Sequence, residues 1–152
     1  MTTPSRKLAE LGLTLPAVAA PAGSYIPARR SGSLVFTAGQ VPFVDGALPL
    51  SGKVGDTVTA EQAYDLARTC ALNALAAVDA LVGLDSVTGV VKVVGFVASA
   101  PGFNGQPKVI NGASDLLGEV FGEAGLHARS AVVVAELPLD APVEVELVVE
   151  VS

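Results

Sequence analysis

The sequence predicts an α+β fold in which helices cover one face of a sheet. Three observations carry that expectation. Ala60 to Val82 keeps apolar residues at helical spacing, whereas Val87 to Ala98 and Val143 to Val151 are valine-rich and strand-like. The patterns follow one another as strands, helix, strand, helix, strands, without the strict βαβ alternation of a fully parallel sheet. The chain is 51% hydrophobic and 16% charged, so it can bury enough apolar surface to offset the entropy lost on folding. Tryptophan is absent and aromatics are few, which leaves Val, Leu and Ala to build the core. A length of 152 residues suits one domain over 1–152, with an N-terminal helical extension at about residues 1–20.

Residues 3–11 suit a short helix, with Thr3 as its cap, Pro4 in its first turn and Gly12 ending it. Pro16 to Gly23 is an Ala/Pro connector expected to be extended. Ser33 to Thr37 is a short apolar strand running into Ala38-Gly39-Gln40, and Asp45-Gly46 is a turn signal. Thr59 and Gln62 form a capping box for the helix from Ala60 to Val82. Its apolar face carries Tyr64, Ala67, Ala71, Leu72, Leu75, Val78, Leu81 and Val82, and Gly83 closes it. Cys70 lies among Ala and Leu on this helix and is expected to be a core thiol.

Val87 to Ala98 is interrupted only by Lys92 and small residues. Ala100 to Gln106 is loop. Lys108 to Ala124 suits a second helix ending at Gly125, although Gly112, Gly118 and Gly122 each cost on the order of 1 kcal/mol against Ala. Arg129 to Glu136 and Val143 to Val151 are the last two strands, joined by Leu137-Pro138-Leu139-Asp140 into what reads alone as an apolar hairpin. The valine runs of the last three strands are apolar on both faces, while two long helices can cover only one. The uncovered face predicts a homo-oligomer whose sheets pack together.

Composition also narrows function. A net charge of −6 and a basic cluster no larger than Arg29-Arg30 argue against a nucleic-acid partner. One cysteine cannot form an internal disulfide, no apolar run approaches the roughly 18 residues of a membrane span, and no signal-peptide core is visible. A cytoplasmic location without membrane contact is the expectation. With a single histidine and a single cysteine, no metal site is expected.

The residues left to carry chemistry are Arg129, Glu144, Glu146, Tyr25 and the Gly39-Gln40 turn. Arg129 opens a strand that, apart from Ser130, is apolar to Ala135. A buried guanidinium needs an anionic partner, because an unpaired charge out of water is costly. Either a protein carboxylate such as Glu144 answers it, or a ligand does. Glu144, Glu146 and Glu150 alternate with Val and Leu, which fits one solvated strand face interrupted by Val148. His127, the one histidine, suits a positioning role at the start of the strand better than a catalytic triad.

Two separated segments resemble the signatures of one family. Tyr25-Ile-Pro-Ala-Arg-Arg-Ser-Gly-Ser-Leu-Val-Phe-Thr-Ala-Gly-Gln-Val-Pro42 is similar to the N-terminal signature of the RidA/YjgF family, formerly called endoribonuclease L-PSP. Ala128-Arg129-Ser130, Glu136-Leu137-Pro138 and Val143-Glu144-Val145-Glu146 are similar to its C-terminal signature. The match runs from about residue 20 to 152 and resembles a longer branch, with an added N-terminal helix and a lengthened loop around Pro101 to Asn111. The resemblance implies a chorismate-mutase-like sheet with two long helices on one face, and a homotrimer with clefts between subunits. It also implies cofactor-free hydrolysis of enamine/imine intermediates, such as 2-aminoacrylate and 2-iminopropionate, to 2-keto acids and ammonia.

Carried over by position, Arg129 would grip the substrate carboxylate and Glu144 would position the hydrolytic water. Tyr25 would close the pocket, and the Gly39 and Ala131 backbones would approach the ligand. Ala131 stands where the family often has cysteine, and Ala38 where it has serine. The family's asparagine falls on either Asn111 or Ser114. A competing reading is a non-catalytic or regulatory trimer that binds a small carboxylate metabolite. The ribonuclease label fits least, since the chain lacks phosphate-binding charge and an evident acid/base pair.

Overall fold

The computed structural model describes residues 2–152. Five strands and three helices follow one another as α1 (Pro4–Glu10), β1 (Ala28–Ser31), β2 (Leu34–Thr37), α2 (Ala60–Val82), β3 (Val87–Ala98), α3 (Gln106–Phe121), β4 (Ala128–Val134) and β5 (Val143–Val151). The strands form one mixed sheet in the order β1-β2-β5-β3-β4. Only β3 and β4 run parallel, joined through α3, and the other neighbours are antiparallel. This is the expected α+β architecture.

Strand β5 fixes the two faces. Val143, Val145, Leu147, Val149 and Val151 are buried and point to α2 and α3, while Glu144, Glu146, Val148 and Glu150 point to the other side. The core lies between the sheet and the two long helices, with Leu75, Ile110, Leu116, Leu117 and Leu147 among its largest buried side chains. Away from the helices the sheet leaves Phe36, Val91 and Val132 exposed in a single chain. The Thr59/Gln62 capping box forms in full: Gln62 N–H donates to Thr59 Oγ1 at 3.1 Å, and Thr59 N–H donates to Gln62 Oε1 at 2.9 Å. At the other end of the fold, Asp85 anchors α1 by accepting from the Ser5 N–H at 2.8 Å and the Ser5 hydroxyl at 2.6 Å.

Of the glycines that weaken the second helix as a sequence pattern, Gly112 has a packing reason. A Cβ on Gly112 would collide with the Tyr64 carbonyl of α2, so glycine lets the two helices touch backbone to backbone. Gly95 of β3 likewise leaves room for the Ile110 side chain. Helix α3 ends at Phe121 rather than Ala124, because Gly122 takes φ +60° and turns the chain into a short 3₁₀ segment, Gly122–Gly125.

Four expectations are corrected. Strands β4 and β5 do not form a hairpin, because β3 lies between them and pairs with both. Strand β4 stops at Val134, not Glu136, since its partner β3 runs out at Ala98; Glu136 leaves the sheet and meets Lys53 at 3.1 Å. Strand β1 was not expected over Ala28–Ser31, where three of the four residues are exposed and two are arginines. The loop expected to extend towards Asn111 ends at Gly105, with Pro107 in the first turn of α3.

Candidate active site

Alternation along β5 puts the Glu144 side chain on the face away from the helices, where it is half-buried. The segment after β2 crosses β5 beside it. Gln40 and Val145 exchange both backbone hydrogen bonds, at 2.8 and 3.0 Å. This clamp sets Gly39 against the Glu144 carboxyl, so closely that a Cβ on Gly39 would stand 2.8 Å from Glu144 Cδ. Any residue other than glycine would displace the carboxylate.

Glu144 faces a cavity of about 190 Å³. Its walls come from the connector Ala19–Ala22, Tyr25, Pro27, Gly39 to Val41, Phe43 and the turn residues Pro138 and Leu139. Glu144 is the one charged side chain among these lining residues. Burial raises its pKa above the ordinary glutamate value, and the neighbouring Glu146 charge adds to the rise. Tyr25 stands at the rim, 49% exposed, and its hydroxyl accepts from the Ala22 N–H at 3.0 Å, which ties the connector to the pocket. Leu139 and Asp140 hold φ of +61° and +59°, rare for side-chain-bearing residues, and so present Leu139 at the cavity mouth.

Arg129 occupies a different part of the molecule. It pairs in register with Val93, which pairs with the buried Leu147, so Arg129 points to the helix side of the sheet. Glu144 pairs with Phe96 and points to the opposite side. One chain therefore cannot bring the two together. Among the described residues no carboxylate pairs with Arg129; the ion pairs are Lys7–Glu10, Lys53–Glu136 and Arg68–Glu119.

Neutral groups of α3 hold the guanidinium instead. Arg129 Nη1 donates to Asn111 Oδ1 at 2.7 Å and to Ser114 Oγ at 3.2 Å. Asn111 and Ser114 stand three apart and share a helix face. The family asparagine that the sequence left between these two positions thus has no single answer, because both contact the arginine. Their uncharged acceptors orient Arg129 without neutralising it. Two N–H donors of Nη1 are used, which leaves the edge formed by Nε and Nη2 for a carboxylate.

His127, set apart from catalysis in the sequence reading, joins this network. Its Nδ1 lies 2.6 Å from the Gly125 carbonyl and its Nε2 lies 2.9 Å from Ser114 Oγ. A carbonyl only accepts, so Nδ1 carries a proton, and in the neutral ring Nε2 then accepts from the Ser114 hydroxyl.

Ala131 follows on β4, paired with Gly95 and packed against the core, away from the Glu144 cavity of its own chain. The Ala38 N–H donates to the Pro27 carbonyl at 2.8 Å. The loop Pro101 to Gly105 contributes nothing to the cavity wall; its Phe103 packs against Gly55. Cys70 is buried behind β5, 3.9 Å from the Val143 carbonyl, and burial pushes its thiol pKa well up. A buried thiol held in that form is unreactive.

A mixed sheet with helices on one face, and an apolar cleft around a lone carboxyl, defines a chorismate-mutase-like α+β protein with room for a small molecule. The family model described as YjgF/chorismate mutase-like, putative endoribonuclease, matches residues 5–151, and the chain belongs to this RidA/YjgF family. Protein TCP17 of Trypanosoma cruzi is 45% identical over 147 residues, covering 95% of this chain and 92% of its own. A crystal structure of a putative endoribonuclease from Shewanella oneidensis MR-1 superposes with a TM-score of 0.95 at 36% identity, covering 99% of this chain and 100% of that one. TdcF of E. coli, crystallised with bound serine, superposes with a TM-score of 0.66 at 28% identity, over 91% of this chain and 96% of TdcF.

Proposed function

We propose that this protein hydrolyses reactive enamine/imine intermediates of the 2-aminoacrylate and 2-iminopropionate type to 2-keto acids and ammonia, in clefts between the subunits of a homotrimer. The observation that carries the reading is the separation of Arg129 from Glu144 on opposite faces of the sheet, with no carboxylate on the arginine among the described residues. A carboxylate clamp and a proton-handling carboxyl standing apart in one chain suit a site completed by a second copy. The exposed Phe36, Val91 and Val132 supply apolar surface for that contact.

The chemistry follows from the groups. The Nε/Nη2 edge of Arg129 grips the substrate carboxylate in a bidentate pair. The enamine carbon takes a proton from solvent, giving the protonated imine. Glu144, brought from the neighbouring subunit, holds a water against the imine carbon and accepts its proton as the C–O bond forms. Glu144 passes that proton to the carbinolamine nitrogen and takes up the hydroxyl proton as the C–N bond breaks, so ammonia leaves and the keto acid remains, and Glu144 then releases the proton to solvent. Burial raises the pKa of Glu144 above the ordinary glutamate value, which makes its carboxylate a stronger base for the proton it takes from water. Tyr25 and the apolar walls limit bulk water at the site.

A second reading, binding without turnover, draws support from TdcF, which carries serine, a small amino-acid carboxylate. Ala38 and Ala131, which lack the hydroxyl and thiol the family often has there, also favour it. The deciding experiment follows ammonia release from 2-iminopropionate generated in place. Acceleration by the purified protein supports the deaminase. A rate equal to the uncatalysed one, with a working deaminase as control, overturns it for that substrate.

A further inference from the structure

We propose that His127 is a positioning residue for the Arg129 clamp, acting through the Ser114 hydroxyl. The inference rests on Arg129 gripping a carboxylate, as proposed above, and extends the site to residues with no assigned role. The chain of hydrogen bonds has one direction. The Gly125 carbonyl accepts from Nδ1–H, so the neutral ring offers only a lone pair at Nε2. Ser114 must donate to that lone pair, across 2.9 Å. Its remaining oxygen lone pairs then point back to accept from Arg129 Nη1, across 3.2 Å. Without the ring acceptor the hydroxyl would rotate freely and could turn its hydrogen towards the guanidinium.

Geometry makes His127 the fixed end of this chain. The ring is held by a backbone carbonyl in the 3₁₀ segment that joins α3 to β4, two residues before the arginine it orients. Gly125 is needed at that point, since a Cβ there would collide with the Leu117 carbonyl of α3. The turn, the helix and the strand are therefore locked around the ring. With Asn111 holding the other Nη1 hydrogen, the guanidinium plane is set by two neutral contacts, and among the described residues nothing accepts from its Nε/Nη2 edge.

Protonation of His127 reverses the chain. The cation presents a donor at Nε2, so Ser114 must accept from the ring and no longer has its hydrogen directed away from Arg129. The charged groups around the ring are Asp115 and Glu119 of α3, which line the same surface groove, and Arg129 of β4 through Ser114. Asp115 also accepts from the Tyr64 hydroxyl and Glu119 pairs with Arg68, so both carboxylates are already engaged. A ring charged at Nε2 no longer offers the acceptor that directs the Ser114 hydroxyl, so the clamp loses its orientation.

The test uses tag-free protein, in which His127 is the only histidine and gives a single set of imidazole ¹⁵N signals. The inference predicts the Nδ1-protonated tautomer at neutral pH; an Nε2-protonated ring overturns it. Ser114→Ala and His127→Phe should each raise KM for 2-iminopropionate about tenfold with kcat nearly unchanged, the loss of one directed hydrogen bond. Ser114→Thr, which keeps a hydroxyl, should restore KM. Unchanged KM in Ser114→Ala with wild-type turnover intact overturns the inference and spares the deaminase reading. If the wild type does not turn over, the deaminase reading fails alone, and the Kd for pyruvate by calorimetry must show the same variant pattern. An unchanged Kd then overturns the positioning role as well.

Discussion

Gly39 is packed against the Glu144 carboxyl so tightly that a methyl group added to Gly39 would stand 2.8 Å from Cδ. The contact is enforced by the paired backbone hydrogen bonds of Gln40 with Val145. Gly39→Ala should therefore displace the carboxyl rather than the backbone. Because small misplacements of a reacting group are costly, kcat should fall by about 10- to 100-fold. Thermal unfolding should be little changed, since the cavity can absorb the moved side chain. Full activity in Gly39→Ala would show that Glu144 does not need this position.

Arg129→Lys keeps the charge but loses the planar fork and the Nη1 contacts to Asn111 and Ser114. The loss of a bidentate, charge-assisted pair predicts a drop in kcat/KM of about 10- to 100-fold. The variant should fold normally by circular dichroism. Steady-state kinetics on 2-iminopropionate reads the effect directly.

The raised pKa of Glu144 has a consequence for stability with a definite sign. Burial makes the folded state hold this proton more tightly than the unfolded chain does. Between the ordinary glutamate pKa and the raised folded value, the native state binds more protons, so stability falls as pH rises through that window. Below the window the carboxyl is neutral in both states and the penalty disappears. Glu144→Gln should thus melt at a higher temperature than wild type at neutral pH, with the difference closing in acid. Scanning calorimetry across pH checks both parts.

Two glycines of α3 should respond with opposite signs. Gly112→Ala drives a methyl group into the Tyr64 carbonyl of α2, and overpacking of this kind costs about 1–3 kcal/mol. Gly118 meets nothing within 4 Å and is exposed, so Gly118→Ala should stabilise by about 0.5–1 kcal/mol through helix propensity. Denaturant unfolding of the two variants separates packing from propensity.

The legibility of this chain in its sequence varied with how local the cause was. The Thr59/Gln62 capping box and the Ala60–Val82 helix depend on neighbours within a few residues, and both formed as expected. Strand β1 gave no signal because Arg29 and Arg30 lie on an exposed edge, where burial imposes no pattern. Strand order is non-local, and nothing in the apparent hairpin of β4 and β5 told that β3 would insert between them.

The candidate site was legible in its charged members and obscure in its neutral ones. Arg129 and Glu144 stood out because charges in apolar strands require a reason. Asn111 and Ser114 were left as alternatives, although their i, i+3 spacing was a signal that one helix face could present both. The link from His127 to Ser114 depends on how a turn folds back, which spacing does not reveal. The corrected loop matters too: Pro101 to Gly105 packs towards Gly55 and leaves the cavity wall to the N-terminal connector.

The central claim is that Arg129 of one copy and Glu144 of another form each site, and mixing two inactive variants tests it most directly. Arg129→Ala and Glu144→Gln, each inactive alone, are unfolded together in equal amounts and refolded into mixed trimers, verified by native mass spectrometry. A ring whose sites each join unlike surfaces of neighbouring copies rebuilds one intact site in every mixed trimer, so the mixture should recover about a quarter of the wild-type rate. Mixed trimers that form but show no activity beyond that of the separate variants would contradict the shared site.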